Sequence, residues 1–205
     1  GFRGSCFTRG RNYHCFGYGN LRDYALADCK FVLEQLANRY SFIDLDRVGI
    51  YGHSGGGFMA AASILTYPDF YKVAVAASGN HDNNIYTKWW GETYHGVKMH
   101  EKKVGKQDSV VYSFESKIPT TIELAKNLKG KLLLITGDMD INVHMAHTIR
   151  LASALMQANK RFDLMLIPGA DHGLGSPYYV NLIRYYFIEN LLGQRLDNVD
   201  MNSIE

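Results

Sequence analysis

The sequence predicts an α/β fold with a mostly parallel sheet flanked by helices. Three observations predict it. Short β-type runs alternate with amphipathic helical stretches along most of the chain, which implies crossover connections between parallel strands. The stretch Arg47 to Tyr67 (RVGIYGHSGGGFMAAASILTY) reads as a buried strand, a sharp glycine turn and a helix. Three of the strand runs end near a serine, an aspartate and a loop histidine, and ligands of parallel sheets gather outside the carboxyl ends of strands.

The whole chain sets the bounds. Its 205 residues suit a single α/β domain over 1–205, with 46% hydrophobic and 20% charged residues, ordinary for a globular protein. A net charge of +2 gives no reason to expect nucleic acid or an anionic surface as partner. No apolar run approaches the roughly 20 residues a membrane-spanning helix needs, so no membrane span is expected in this chain. Cys6, Cys15 and Cys29 are odd in number and do not make a disulfide framework. The chain opens at Gly1-Phe2-Arg3-Gly4-Ser5 without a methionine or a signal-peptide pattern, so it reads as a fragment or a processed piece of something longer.

Each element follows in order. Residues 1–19 lack periodicity and read as a long surface loop. Asn20 can cap a helix from Leu21 to about Arg39, with Leu21, Tyr24, Ala25, Val32 and Leu36 at helical spacing. Val48 to Tyr51 is a strand, and Phe58 to Tyr67 a helix stopped by Pro68. Lys72 to Ala77 is a second strand closed by Ser78-Gly79. Asn80 to about Lys117 has little regular pattern but holds both tryptophans, and so long a loop points to function. Pro119 to Leu128 reads as a helix, Lys131 to Thr136 as a third strand, and Val143 to Asn159 as a periodic helix. Phe162 to Ile167 is a fourth strand; Ser176 caps and Pro177 starts a last helix to about Leu192. Residues 193–205 read as a frayed tail.

The turn Gly52-His53-Ser54-Gly55-Gly56 matches G-x-S-x-G between strand and helix, the nucleophile elbow of the α/β-hydrolase fold. Such a serine stands on a strained turn with its Oγ clear of the backbone. Glycines around it remove Cβ atoms that would collide with strand and helix. The backbone N–H of Gly55 is placed to donate to an oxyanion. A serine nucleophile needs a base, and the base an orienting acid; in this fold the chain order is serine, acid, histidine. His172, in the loop Gly169-Ala170-Asp171-His172-Gly173, is the candidate base. Asp138 and Asp140 both follow the third strand and compete for the acid; Asp171 reads as a solvated turn residue. His144 and His147, three apart in a predicted helix, lack a third metal ligand at the expected spacing, so neither metal nor cofactor is expected. His53 adjoins the nucleophile and shapes the pocket wall.

These residues resemble the catalytic domain of the prolyl oligopeptidase family, most closely its dipeptidyl peptidase IV branch, from Gly1 to about Leu192. The resemblance rests on GHSGGG at Gly52–Gly57, DINVH at Asp140–His144, DHG at Asp171–Gly173, and an opening similar to G-x-R-G-S. It implies the triad Ser54, Asp140 and His172, with Asp140 preferred over Asp138. It also implies that Asn142 contacts a substrate carbonyl and that Val143 lines the S1 pocket. Tyr86 and Trp90, followed by Glu92-Thr93-Tyr94-His95-Gly96, would form the S1 wall; Trp90 stands where that branch has a tyrosine. The implied function is a serine peptidase cleaving peptide substrates after proline or a small residue through an acyl-enzyme. An esterase on the same fold, or a non-catalytic fragment lacking part of the oxyanion hole, are the alternatives. The resemblance further implies early sheet strands, a second oxyanion donor and a β-propeller upstream, a possible homodimer, and a periplasmic or secreted setting.

Overall fold

The computed structural model describes residues 3–4, 7–104 and 109–203. Gly1, Phe2, Ser5 and Cys6, and with them most of the opening motif, lie outside the described residues. In chain order the elements are α1 (Arg11–His14), α2 (Leu26–Arg39), β1 (Val48–His53), α3 (Gly55–Thr66), β2 (Tyr71–Ala77), α4 (Lys88–Tyr94), β3 (Lys98–Val104), β4 (Ser109–Glu115), β5 (Lys131–Gly137), α5 (Ala146–Gln157), β6 (Asp163–Ile167) and α6 (Pro177–Leu191).

Strands β1, β2, β5 and β6 lie side by side in that order, every neighbouring pair parallel. Their side chains split between two apolar layers. Ala74, Ala76, Leu132 and Leu134 face Ala61, Ile64 and Leu65 of α3 and Leu151 and Leu155 of α5. Val73, Val75, Ala77, Leu133 and Ile135 face the other way, against Leu174 of the loop after β6 and Tyr186 of α6. Period-2 alternation thus sends neighbouring β2 residues into different cores, which is why Val73 to Ala77 reads as an unbroken apolar run. Because every neighbouring pair is parallel, the carboxyl ends of the four strands share one rim.

Several expectations are corrected by tertiary contacts. Helix α2 starts at Leu26, not Leu21. Residues 21–25 form turns, and the Arg22 side chain reaches to Asp23, Glu123 and the Thr120 carbonyl. The Tyr24 ring also fills the space above Gly17, whose Cβ, if present, would lie 3.0 Å from that ring. The described part of residues 1–19 holds helical turns, with α1 among them. It is fastened by Arg3, which pairs with Asp28 of α2 and lies 4.0 Å over the Phe16 ring. The stretch 119–128 gives a 3₁₀ turn, Ile122–Asn127, and the Thr121 N–H just before it donates to the His81 carbonyl at 3.2 Å. The aromatic loop 80–117 is largely ordered into α4 and the antiparallel hairpin β3–β4. The tail as far as Ser203 is held: Asn181 Nδ2 lies within hydrogen-bond reach of the carbonyls of Asp200, Met201 and Ser203. Cys15 is exposed and Cys29 partly buried, both as free thiols. No helix among the described residues is long and apolar enough to cross a membrane.

Candidate active site

The site begins with the turn between β1 and α3. Ser54 adopts φ 57 and ψ −123, a region that non-glycine residues enter at a cost of about 1–3 kcal/mol. The neighbours hold it there. The Ser54 N–H donates to the Ala77 carbonyl at 2.8 Å, and the Phe58 N–H to the Ser54 carbonyl at 3.0 Å. The glycines divide unevenly. A Cβ on Gly52 would lie 2.2 Å from the Gly56 carbonyl oxygen, and one on Gly57 2.4 Å from that of Ala77. A Cβ on Gly55 or Gly56 would meet nothing within 4 Å. The steric need for glycine therefore falls on Gly52 and Gly57, and not on the motif's second glycine, Gly56. Gly55 opens α3, and its N–H has no partner among the described residues. It points out of a helix N-terminus, which favours negative charge.

Asp140 follows β5. Its carboxylate is buried, 0% exposed at the side chain, yet fully engaged. Oδ1 accepts from the N–H groups of Asn142 at 3.0 Å and Val143 at 2.8 Å. The two bonds form a cap-like turn after β5, and α5 itself begins at Ala146, not at Val143. Oδ2 lies 2.8 Å from His172 Nδ1, and His172 Nε2 lies 3.0 Å from Ser54 Oγ. Three side chains from three strand ends thus form one continuous hydroxyl–imidazole–carboxylate chain.

The rival acid does something else. Asp138 Oδ1 accepts from the Gly169 N–H at 2.6 Å and so braces the loop that carries His172. The Met139 N–H adds a bond to the Ala170 carbonyl at 3.1 Å, and Gly137 lets that carbonyl approach, since a Cβ there would sit 2.2 Å from it. Asp171 is an exposed turn residue that accepts from its own Gly173 N–H. None of this bracing was read from the sequence, although the Gly137-Asp138 pair at a strand end was a visible signal.

On the pocket side, Tyr86 Oη donates to Asn142 Oδ1 at 2.6 Å. That bond fixes the Asn142 amide with its N–H groups turned away from Tyr86 and available to a carbonyl. The Tyr86 and Trp90 rings meet edge to face at 5.5 Å, and Trp90 leans on Tyr94 at 5.2 Å. Helix α4 supplies Trp90 and Tyr94, one turn apart. Val143 is buried beside Asp140. Beneath Tyr86 lies His147, 5.9 Å from its ring. Burial pulls the imidazole of His147 down to about 4 and that of fully buried His81 to about 3, so both are neutral near pH 7. His144 precedes α5 and caps Ala146 through Nδ1, so it does not share a helix face with His147. Among the described residues no group of three or more His, Cys, Asp or Glu could hold a metal ion.

Comparison with known proteins decides the family. The model of the prolyl oligopeptidase family matches residues 2–198. The chain belongs to the prolyl oligopeptidase family. Human dipeptidyl peptidase 8 is 34% identical over 199 residues, which is 95% of this chain and 21% of that protein. Among solved structures, a Bacteroides ovatus protein assigned as a dipeptidyl aminopeptidase IV superposes with a TM-score of 0.74 at 28% identity, over 92% of this chain and 25% of its own. Porphyromonas gingivalis dipeptidyl peptidase 4 gives the same TM-score of 0.74 at 22% identity, over 89% of this chain and 25% of its own, a likeness of fold. The fold is that of the α/β-hydrolase catalytic domain of the family, and the chain spans about a fifth to a quarter of the length of these relatives.

Proposed function

We propose that this chain carries the catalytic machinery of a dipeptidyl-peptidase-like serine peptidase that cleaves after proline or a small residue. The observation that carries the proposal is the 3.0 Å and 2.8 Å chain from Ser54 Oγ through His172 to Asp140. His172 Nε2 takes the hydroxyl proton as Ser54 Oγ attacks the scissile carbonyl carbon. The Asp140 carboxylate holds the Nδ1–H and offsets the imidazolium charge. The carbonyl oxygen, now an oxyanion, is met by the Gly55 N–H. His172 then returns the proton to the leaving amine, and the acyl-enzyme on Ser54 is hydrolysed by water through the same base.

Substrate preference follows from the pocket side. Edge-to-face Tyr86 and Trp90 suit the flat ring of a proline, and the free Asn142 amide suits the carbonyl before the scissile bond. The indole of Trp90 takes more room than a phenol and narrows S1 toward proline and small side chains. An upstream β-propeller belongs to the same proposal, supported by the relatives being four to five times longer than this chain, while a homodimer rests on the family resemblance alone. The test uses the full-length protein and a Gly-Pro chromogenic amide. Ser54→Ala is expected to abolish turnover and labelling by a fluorophosphonate. Undiminished turnover in that variant would end the peptidase reading, and hydrolysis confined to p-nitrophenyl acetate would replace it with an esterase.

A further inference from the structure

We infer that His53 is a positioning residue for the general base, an inference that rests on the serine-hydrolase reading above. His53 ends β1, immediately before the nucleophile, with its backbone in register with Ala77 of β2. Its side chain crosses to the loop after β6, where Nε2 lies 2.5 Å from the main-chain oxygen of His172. A carbonyl only accepts, so His53 Nε2 carries a hydrogen and donates it. The two imidazoles sit 4.7 Å apart at 53°, so His53 also walls one side of the ring that must face Ser54.

The base needs such a support. The loop around His172 is pinned at its start, by Asp138 at Gly169 and by Met139 at Ala170. Past that point its main-chain N–H groups bond within the loop: Gly173 to the Asp171 side chain, and Leu174 to the Asp171 carbonyl at a long 3.4 Å. Leu174 itself is held at φ 51, a left-handed conformation a leucine does not choose. Among the described residues, His53 is the one group outside the loop that bonds the peptide of His172. The result is a closed circuit. Ser54 and His53 are adjacent on the rigid end of β1, His53 holds the His172 carbonyl, and His172 Nε2 returns to Ser54 Oγ at 3.0 Å. The strand that presents the nucleophile thus also sets its distance to the base, so the separation is insensitive to movement of the loop as a whole.

Two replacements in the full-length protein separate the parts. His53→Phe keeps a ring against His172 and loses the donor. His53→Gln keeps an N–H donor. His53→Phe is expected to lower kcat for a Gly-Pro chromogenic amide and the fluorophosphonate inactivation rate by the same factor, between about tenfold and a hundredfold, with KM held. His53→Gln is expected to recover kcat to within about threefold of the parent. Equal kcat in His53→Phe and the parent, a loss confined to KM, or a glutamine variant as slow as the phenylalanine one would each overturn the assignment. A crystal structure of His53→Phe tests it without turnover: the Ser54–His172 separation is expected to lengthen beyond hydrogen-bond reach, and an unchanged 3.0 Å contact overturns it. A parent protein that neither hydrolyses nor labels would refute the peptidase reading, while the crystal structure would still decide the role of His53.

Discussion

Replacing Asp140 by asparagine changes one atom and is expected to remove nearly all activity while sparing the fold. Asp140 Oδ1 receives the N–H groups of Asn142 and Val143, at 3.0 and 2.8 Å, and the carbonyl oxygen of an asparagine can receive both in the same place. The new NH₂ then takes the Oδ2 position, 2.8 Å from His172 Nδ1. Two donors cannot face one another there, so Nδ1 becomes the acceptor and the proton moves to Nε2. An Nε2–H has no lone pair for the Ser54 proton, and the hydroxyl 3.0 Å away loses its base. A wrong tautomer of this kind costs about 10⁴ in kcat. At about 1.4 kcal/mol per tenfold, that is about 5 kcal/mol of transition-state stabilisation. Stability, by contrast, should shift by no more than about 1 kcal/mol, because the two backbone bonds survive. The assay is steady-state hydrolysis of a Gly-Pro chromogenic amide by the full-length protein, with the unfolding midpoint measured alongside. Asp138→Asn is the control: it weakens the brace on Gly169 and should leave kcat within about tenfold. The reasoning is refuted if Asp140→Asn keeps a tenth of the parent kcat, or if the large loss appears in Asp138→Asn instead.

Two further predictions concern folding. Gly52→Ala puts a methyl 2.2 Å from the Gly56 carbonyl oxygen and is expected to cost at least about 2 kcal/mol, whereas Gly56→Ala, with open space around its Cβ, should be neutral or slightly stabilising. Denaturant midpoints of the two variants check this, and equal midpoints would contradict it. His81 and His147 titrate at about 3 and about 4 in the folded protein because burial opposes their charge, while an unfolded histidine titrates near 6.5. A depressed imidazole leaves the unfolded chain holding the extra proton, so stability is complete above about pH 6.5 and declines as pH falls toward 4. At pH 5 each histidine should cost on the order of 2 kcal/mol relative to pH 7. His81→Gln should flatten the slope of unfolding free energy between pH 7 and 5 relative to the parent, and an unaltered slope would count against it.

The nucleophile strand, the chain order of the three polar residues and the alternation of strands with helices were all legible in the sequence. Each is dictated locally. Glycines around Ser54 announce a tight turn, Pro68 and Pro177 mark a helix end and a helix start, and short apolar runs mark buried parallel strands. The hairpin β3–β4 was missed because β3 (KMHEKKV) is lysine-rich, although Val110, Tyr112 and Phe114 in β4 alternate as strand residues do. Helix α2 starts at Leu26, five residues past the predicted Leu21, and α5 at Ala146, three past Val143, in stretches where Arg22 and Asp140 bond partners that local helix-start signals do not reveal. The choice between Asp138 and Asp140 could not be made from spacing alone, since both follow the same strand by one to three residues.

By itself, the sequence determined the kind of chemistry: which side chains could act, in which order, and on which type of fold. Tertiary structure decided how those groups divide the labour. It gave Asp140 to the imidazole and Asp138 to the loop, placed His53 on the carbonyl of His172, and set Tyr86 to orient Asn142. The physical reason is range. Turn strain, helix caps and apolar periodicity act between residues a few positions apart. A hydrogen bond between residues 32 or 119 positions apart depends on the packing of the whole sheet, and no local pattern encodes it.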